Sequence, residues 1–296
     1  MCLKKKSCSG REVSSLVCKG KKKYVILRDV KQKILLRMLS KNLIKTIRSL
    51  NQKKYRLQEG LFVAEGPKVV GDLMQRYVPQ VLIATEEWWT ANVPPRSRAT
   101  ECISVSNDDL RKASFLQHPQ QVMALFPLPA TIAGDTPLLP DDKELLIALD
   151  GVQDPGNLGT IIRIADWFGI RRIIGSLSTA DAFNPKVVQA TMGSISRVDI
   201  SYTDLDRWMS LLPSSMPIYG TLLDGRDIYH ESLTPHGIIV MGNEGNGISP
   251  VIRKRVTHAL RIPMFQSLPG AESLNVAVAT AITCSEFRRR SAKPMD

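Results

Sequence analysis

The chain has 296 residues, 43% of them hydrophobic, which is enough for one large soluble domain or two ordinary ones. It contains no run of eighteen apolar residues, so no transmembrane helix is expected. The net charge of +12 is unevenly placed: residues 1–37 carry 12 Lys/Arg against 2 Asp/Glu, residues 38–56 carry six and no acid, and residues 57–296 carry 22 against 26. The body is therefore nearly neutral, and the basic end suits an acidic polymer such as nucleic acid as well as it suits solvent.

Residues 1–37 hold lysine runs, Ser and Gly with no clear period. They read as a disordered basic tail, either a true RNA-binding arm or the product of an upstream start, with Met38 the natural first residue. From Met38 the pattern changes. Ser40 is placed to cap a helix in which Leu43, Ile44, Ile47 and Leu50 form an apolar stripe, with Lys41, Lys45 and Arg48 off it. Strands are predicted at 61–65, 80–84, 102–105 and 122–126, with helices at 67–73, where Pro67 sits in the first turn, and 108–113. Alternating strands and helices over 38–127 indicate a small α/β domain. The Pro- and Gly-rich segment 128–143 reads as a linker to a second domain, 144–296.

The second domain opens with a buried strand at 145–149. A turn rich in Gly and Pro, 150–159, follows and delivers the chain into a helix at 159–168. Leu158, Ile161, Ile162 and Ala165 make the stripe of this helix. Arg163 lies opposite at about 100° per residue, near the positive end of the helix dipole, a poor place for a cation on stability grounds. Further strands are predicted at 172–175, 198–202, 218–223, 238–241 and 260–263, with Asn184 and Asp204 capping helices and a last helix at 273–290. The strand at 238–241 breaks into Gly242-Asn-Glu-Gly-Asn-Gly247, which fits neither the dinucleotide fingerprint nor the P-loop. Alone it is a tight turn before a helix. The strand ending near Pro263 leads through a loop at 266–270 to Glu272-Ser-Leu-Asn275. Two such strand-to-loop exits side by side can wrap one small molecule with backbone groups.

The five cysteines show no C-x-x-C spacing, and His118, His230, His236 and His258 are scattered, so neither a metal site nor a disulfide framework is expected. A signal peptide is not expected either, because charges interrupt every apolar stretch near the start. The expected compartment is a reducing cytoplasm.

Three segments stand in order: Asp154-Pro-Gly-Asn-Leu-Gly-Thr-Ile-Ile-Arg163, Gly242-Asn-Glu-Gly-Asn-Gly247 and Ser273-Leu-Asn-Val276, with Ile262-Pro263 between the last two. Together they resemble the three motifs of the SpoU/TrmH family of RNA 2′-O-ribose methyltransferases in the SPOUT superfamily. The resemblance covers the whole second domain, and the first domain looks like that family's substrate-binding domain, related in fold to a ribosomal protein. It implies an α/β fold with a trefoil knot in the C-terminal domain, where pattern alone gives an unknotted doubly wound sheet. It implies S-adenosylmethionine as cofactor, contacted at Gly242, Asn243, Ile262 and Leu274, with Thr221 and Leu222 adding to the pocket. It also implies a homodimer with active sites at its interface, RNA as substrate, and no metal. The stretch 269–272 departs from the shorter Gly/Ser sequences common in the family.

Family resemblance gives the catalytic set as Arg163, Asn157, Glu244, Ser273 and Asn275. Methyl transfer from a sulfonium requires alignment rather than a metal, and the 2′-hydroxyl must lose its proton. Arginine is too weak an acid to serve as the base, so Arg163 is read as a phosphate clamp and stabiliser of the developing alkoxide. Asn157 positions substrate or loop, and Glu244 either orders the loops or simply caps one. Ribosomal RNA is the first choice of target and transfer RNA the second. The rival readings are a non-catalytic RNA-binding protein that kept the fold, against which Arg163 and Asn157 both stand, and a nucleotide-dependent α/β enzyme, which lacks its phosphate fingerprints.

Overall fold

The computed structural model describes residues 2–8, 11–17, 23–27, 34–36, 39–92, 101–129, 138–265 and 273–291, the first four segments as backbone only. Part of the expected linker and the loop 266–272 lie outside them. The chain divides into two compact units, residues 1–128 with 183–185, and residues 129–182 with 186–296.

In the first unit β1 (Cys2–Cys8), β2 (Arg11–Val17), β3 (Lys23–Leu27) and β4 (Ile34–Leu36) precede α1 (Lys41–Ser49) and α2 (Lys53–Glu59). Then come β5 (Leu61–Glu65), α3 (Pro67–Met74), β6 (Val81–Thr85), α4 (Glu86–Ala91), β7 (Glu101–Val105), α5 (Asn107–Ala113) and β8 (Val122–Pro127). They form a mixed sheet in the order β1-β2-β3-β4-β7-β6-β8-β5. The backbone of the basic N-terminal segment thus runs partly as strands, where composition points to a disordered tail. Short runs such as Tyr-Val-Ile-Leu and Ile-Leu-Leu carry strand propensity that a count of lysines hides. In α1 the Ser40 hydroxyl accepts from Leu43 N at 3.1 Å, and the predicted stripe packs inward, with Ile47 and Leu50 fully buried against Val63, Ile83 and Ile103. Burying each such side chain is worth about 1.5–3 kcal/mol. Two helices escape sequence reading. The first, α2, ends at Gly60 in the left-handed conformation (φ 65°), and its buried Arg56 donates to Leu50 O at 2.6 Å. The second, α4, is capped by Thr85 and buries Trp88 and Trp89.

The second unit contains β9 (Leu145–Asp150), α6 (Pro155–Trp167), β10 (Arg172–Ser176), α7 (Pro185–Ala190), β11 (Asp199–Thr203), α8 (Leu205–Met209) and β12 (Ile218–Asp227). It closes with β13 (Gly237–Gly242), α9 (Pro250–Arg253), β14 (His258–Arg261) and α10 (Val276–Ser291). All six strands are parallel, in the order β11-β10-β9-β13-β12-β14. The chain winds outward from β9 to β11, crosses to β12, and returns to place β13 beside β9. The sheet therefore reverses its winding between β9 and β13, and that switch point leaves a crevice at the carboxyl ends of both strands. Their register sets Asp150 level with Gly242. Burial is complete along β9 from Leu146 to Leu149 and along β13 from Ile238 to Val240, which explains their unbroken apolar sequences.

Helix α6 begins at Pro155, not at Gly159 as the pattern predicts. Asp154 is its N-cap and accepts from Asn157 N at 2.8 Å, and Pro155 occupies the first position, where a missing N–H costs nothing. The last helix, α10, lies alongside α6 and runs the same way. Arg288 Nε donates to Phe168 O at 2.7 Å, satisfying a carbonyl at the end of α6. Arg290 reaches Ile228 O at 3.0 Å and Tyr229 O at 2.7 Å. Buried Glu286 holds Arg289 at 2.8 Å and Arg290 at 2.6 Å.

The hydrogen bond from Arg289, helped by Arg290 and opposed by burial, pushes the Glu286 carboxyl down to about 2 from 4.5. A depressed carboxylate stabilises the fold above its unfolded value and loses that contribution as pH falls through the folded one. Glu286→Gln is expected to cost about 1–3 kcal/mol at neutral pH. The difference between the two proteins, followed by thermal unfolding, should shrink as pH falls from about 4.5 towards 2.

Candidate active site

The switch point is closed over by two loops that leave the carboxyl ends of β9 and β13. The β9 exit turns at Gly151 (φ 76°), whose N–H donates to Ser176 Oγ at 2.9 Å. The β13 exit is a tight loop in which Asn243 and Gly247 exchange backbone hydrogen bonds, each 2.9 Å. Asn243 Oδ1 accepts from Gly245 N and Asn246 N, both at 3.0 Å, and its Nδ2 crosses to Gly151 O at 2.7 Å.

Glu244 ties the loops together. Its Oε1 accepts from Asn157 Nδ2 at 3.0 Å and Asp154 N at 3.2 Å, and its Oε2 from Gln153 N at 3.3 Å. Partial burial alone would raise its pKa. The hydrogen bonds from Asn157 and from the backbone N–H groups outweigh that and hold the carboxyl below its usual range. Asn157 Oδ1 in turn accepts from Asn275 Nδ2 at 2.9 Å, and Asn275 Oδ1 accepts from Ala277 N at 2.9 Å and Val278 N at 3.3 Å, capping α10. The order of donors and acceptors fixes both amide orientations, because a carboxylate can only accept. Three segments far apart in sequence are thereby joined in one chain of side chains.

Arg163 and Ser273 are not part of that chain. Arg163 is exposed, six residues beyond Asn157, hence about 9 Å further along α6 and about 120° around it. Among the described residues its guanidinium has no hydrogen-bond or ion-pair partner. Ser273 is exposed and likewise without a hydrogen bond among them.

Of the residues assigned to the cofactor, Gly242, Asn243 and Ile262 lie at the carboxyl ends of β13 and β14, Thr221 and Leu222 lie within β12, and Leu274 precedes α10. Gly242 ends β13, Leu222 stands two steps beyond Gly220, the last β12 residue paired to β13, and Ile262 follows the last residue of β14. Thr221 Oγ1 donates to Val240 O at 3.1 Å. Beside these ends Leu223, Met264 and Phe265 are 75%, 70% and 91% exposed, and Leu274 is 50% exposed. Uncovered apolar side chains beside strand ends offer a surface for the apolar parts of a ligand. Among the described residues no group of three or more His, Cys, Asp or Glu is placed to hold a metal ion, and no helix is long and apolar enough to cross a membrane.

One contributor is absent from the sequence-based set. Asp150 Oδ2 accepts from Ser249 N at 2.7 Å and so anchors the far end of the β13 loop. An acid at a strand end before glycine is its signal. At the far end of α6, Trp167 is 86% exposed, while Trp88, Trp89 and Trp208 are buried.

Gly242 is required for a reason other than ligand room. A Cβ there would lie 2.2 Å from Gly247 C and 2.3 Å from Ile248 N, both backbone. Gly242→Ala should therefore lower the melting temperature as well as S-adenosylmethionine affinity, read by calorimetry on one sample. Weakened binding with unchanged melting would show that only the ligand meets this position.

Comparison with known proteins identifies the family. Residues 144–285 match the SpoU rRNA Methylase family and residues 41–124 the MRM3-like substrate binding domain. The chain is 30% identical over 249 residues to the 23S rRNA (guanosine(2553)-2′-O)-methyltransferase RlmP of Bacillus subtilis, covering 83% of this chain and 95% of that protein. A TrmH-family protein from Porphyromonas gingivalis superposes with a TM-score of 0.77 at 42% identity, over 86% of this chain and all (100%) of the other. The AdoMet-bound rRNA methyltransferase of Sinorhizobium meliloti superposes with a TM-score of 0.74 at 30% identity, over 86% and 97%. The chain belongs to the SpoU rRNA methylase family.

Proposed function

We propose that this protein methylates a ribose 2′-hydroxyl in ribosomal RNA, working in the cytoplasm with S-adenosylmethionine as donor. The observation that carries the reading is the Glu244–Asn157–Asn275 chain, which holds the three family segments together at the switch point. The cofactor supplies a methyl group already activated on a positively charged sulfur. The chain's part is to seat it against Gly242, Asn243, Ile262 and Leu274, with Thr221 and Leu222 beside them, and to bring the ribose oxygen into line. Asn157 and Asn275 set the shape of the loops, Glu244 ties them together, and exposed Ser273 is assigned to the ribose by family resemblance. A trefoil-knotted path belongs to the same reading. It rests on the family match over residues 144–285.

The separation of Arg163 from the Asn157 cluster supports a homodimer in which Arg163 of one protomer completes the partner's site. The α6–α10 face suits the interface, since Trp167 and Val278 stand uncovered on these helices at 86% and 49% exposure. Because the other three tryptophans are buried, Trp167 reports on this face directly. Its acrylamide quenching should fall as protein concentration rises into the micromolar range, together with a dimer mass by light scattering. A fully active monomer would contradict the shared site.

Arg163 carries the chemistry most sharply. Holding the neighbouring phosphate and the developing negative charge on oxygen, it is expected to contribute about 10²–10³ in single-turnover rate, the scale of one electrostatic stabiliser. Arg163→Ala should show that loss with cofactor affinity and melting temperature unchanged. Arg163→Lys should recover only part, since a point charge cannot grip phosphate with two prongs. Methyl transfer by Arg163→Ala at the wild-type rate would overturn the mechanism.

A further inference from the structure

We infer that the exposed face of α1 carrying Lys41, Lys45 and Arg48 is the surface on which the first unit grips the phosphate backbone of its RNA; this rests on the reading of RNA as substrate. The three cations recur at i, i+4 and i+7 and all are exposed, whereas Ile47 and Leu50 on the other side are buried in the core. They fall within about 60° of helix surface and span about 10 Å along the axis, enough to follow two or three phosphates of one strand.

The charge on this face is left uncompensated. Lys41 and Lys45 have no acidic partner among the described residues. On the neighbouring α5 the acids are already engaged, Asp109 with Lys112 at 2.8 Å and Asp108 with Arg111 at 3.6 Å. The placement also works against the helix itself: α1 has no acid in its first turn and puts a lysine at its first position, where the dipole repels a cation. The following helix α2 repeats this, opening with Lys53 and Lys54. Solvation alone gives no reason to place lysines at both helix starts and to exclude every acid from residues 38–56.

Arg48 is held ready. Its Nε donates to Lys112 O at 3.0 Å and its guanidinium lies 5.8 Å from the centre of the Phe115 ring. Its terminal nitrogens have no hydrogen-bond partner among the described residues, which leaves the two-pronged edge for a phosphate. Buried Glu65, which feels the Arg48 charge, is itself taken up by Ser114 and by Phe115 N at 2.8 Å.

The test is binding of a large-subunit ribosomal RNA transcript over a salt series, comparing the wild type with K41A/K45A and with the control Lys68→Ala. Lys68 is exposed on α3 of the same unit but is paired with Asp72 at 3.2 Å. The double variant should lose about tenfold in affinity at low salt, and the slope of log affinity against log salt should shrink by about 2, roughly one for each phosphate no longer neutralised. Its melting temperature should be no lower than that of the wild type, and slightly higher if Lys41 opposes the helix dipole; its S-adenosylmethionine affinity should match the wild type, and Lys68→Ala should bind RNA unchanged. A wild-type slope in K41A/K45A overturns the inference, as does an equal loss per charge in Lys68→Ala, which would mark a general charge effect. Wild-type protein that shows no salt-dependent binding of the transcript overturns the RNA reading itself, a separate and distinguishable failure.

Discussion

The carboxylate of Glu244 is the joint on which the second unit depends. Two parallel strands end side by side, and each must hand its chain to a loop whose backbone N–H groups have no strand to pair with. A carboxylate can take several such donors at once, and Glu244 takes two from the β9 exit and a third from the Asn157 side chain. An ionised acceptor makes these bonds stronger than a neutral one would. The cost of holding the charge partly out of water is met by those same donors, so the group stays ionised and the loops stay together. Replacing it with an apolar residue would leave three donors unmatched at the crevice mouth.

Close approach of backbone to backbone is the second constraint. At Gly242 the returning loop passes so near that no side chain can be fitted, and the strand end is pressed against Gly247 and Ile248. The glycines of this loop thus serve first to build a rigid rim. Any ligand seated there meets a surface that exists before it arrives, which lowers the entropy lost on binding. The exposed apolar groups at 223, 264, 265 and 274 stand in contrast to that rim and are uncovered in the single chain.

Much of this was legible in the residues. The buried strands announced themselves as unbroken apolar runs, the caps at Ser40 and Asp204 by their side chains, and the candidate site by three short segments whose combined order is far more specific than any one of them. What stayed hidden had physical reasons. Helices α2 and α4 are 7 and 6 residues long, too short for a period to show, and are held by tertiary burial of Arg56, Trp88 and Trp89. The start of α6 was misplaced because Pro and Gly suggest a turn, although Asp before Pro is also how a helix begins. The distance between Arg163 and Asn157 follows from helix geometry once that start is known, and could not be read before it.

The hydrogen bond between Asn157 and Asn275 also bears on how the molecule comes into being. These residues are 118 positions apart, and Glu244 and Asn157 are 87 apart. Contacts of such long range close large loops of chain and form late in folding. Synthesis proceeds from the N-terminal end, so the first unit and the β9–β11 half of the sheet can be in place while α10 is still unmade. Until residue 275 has emerged and docked, Asn157 lacks the partner that fixes its amide. The Glu244–Asn157–Asn275 cluster is thus incomplete until the last helix of the chain has docked.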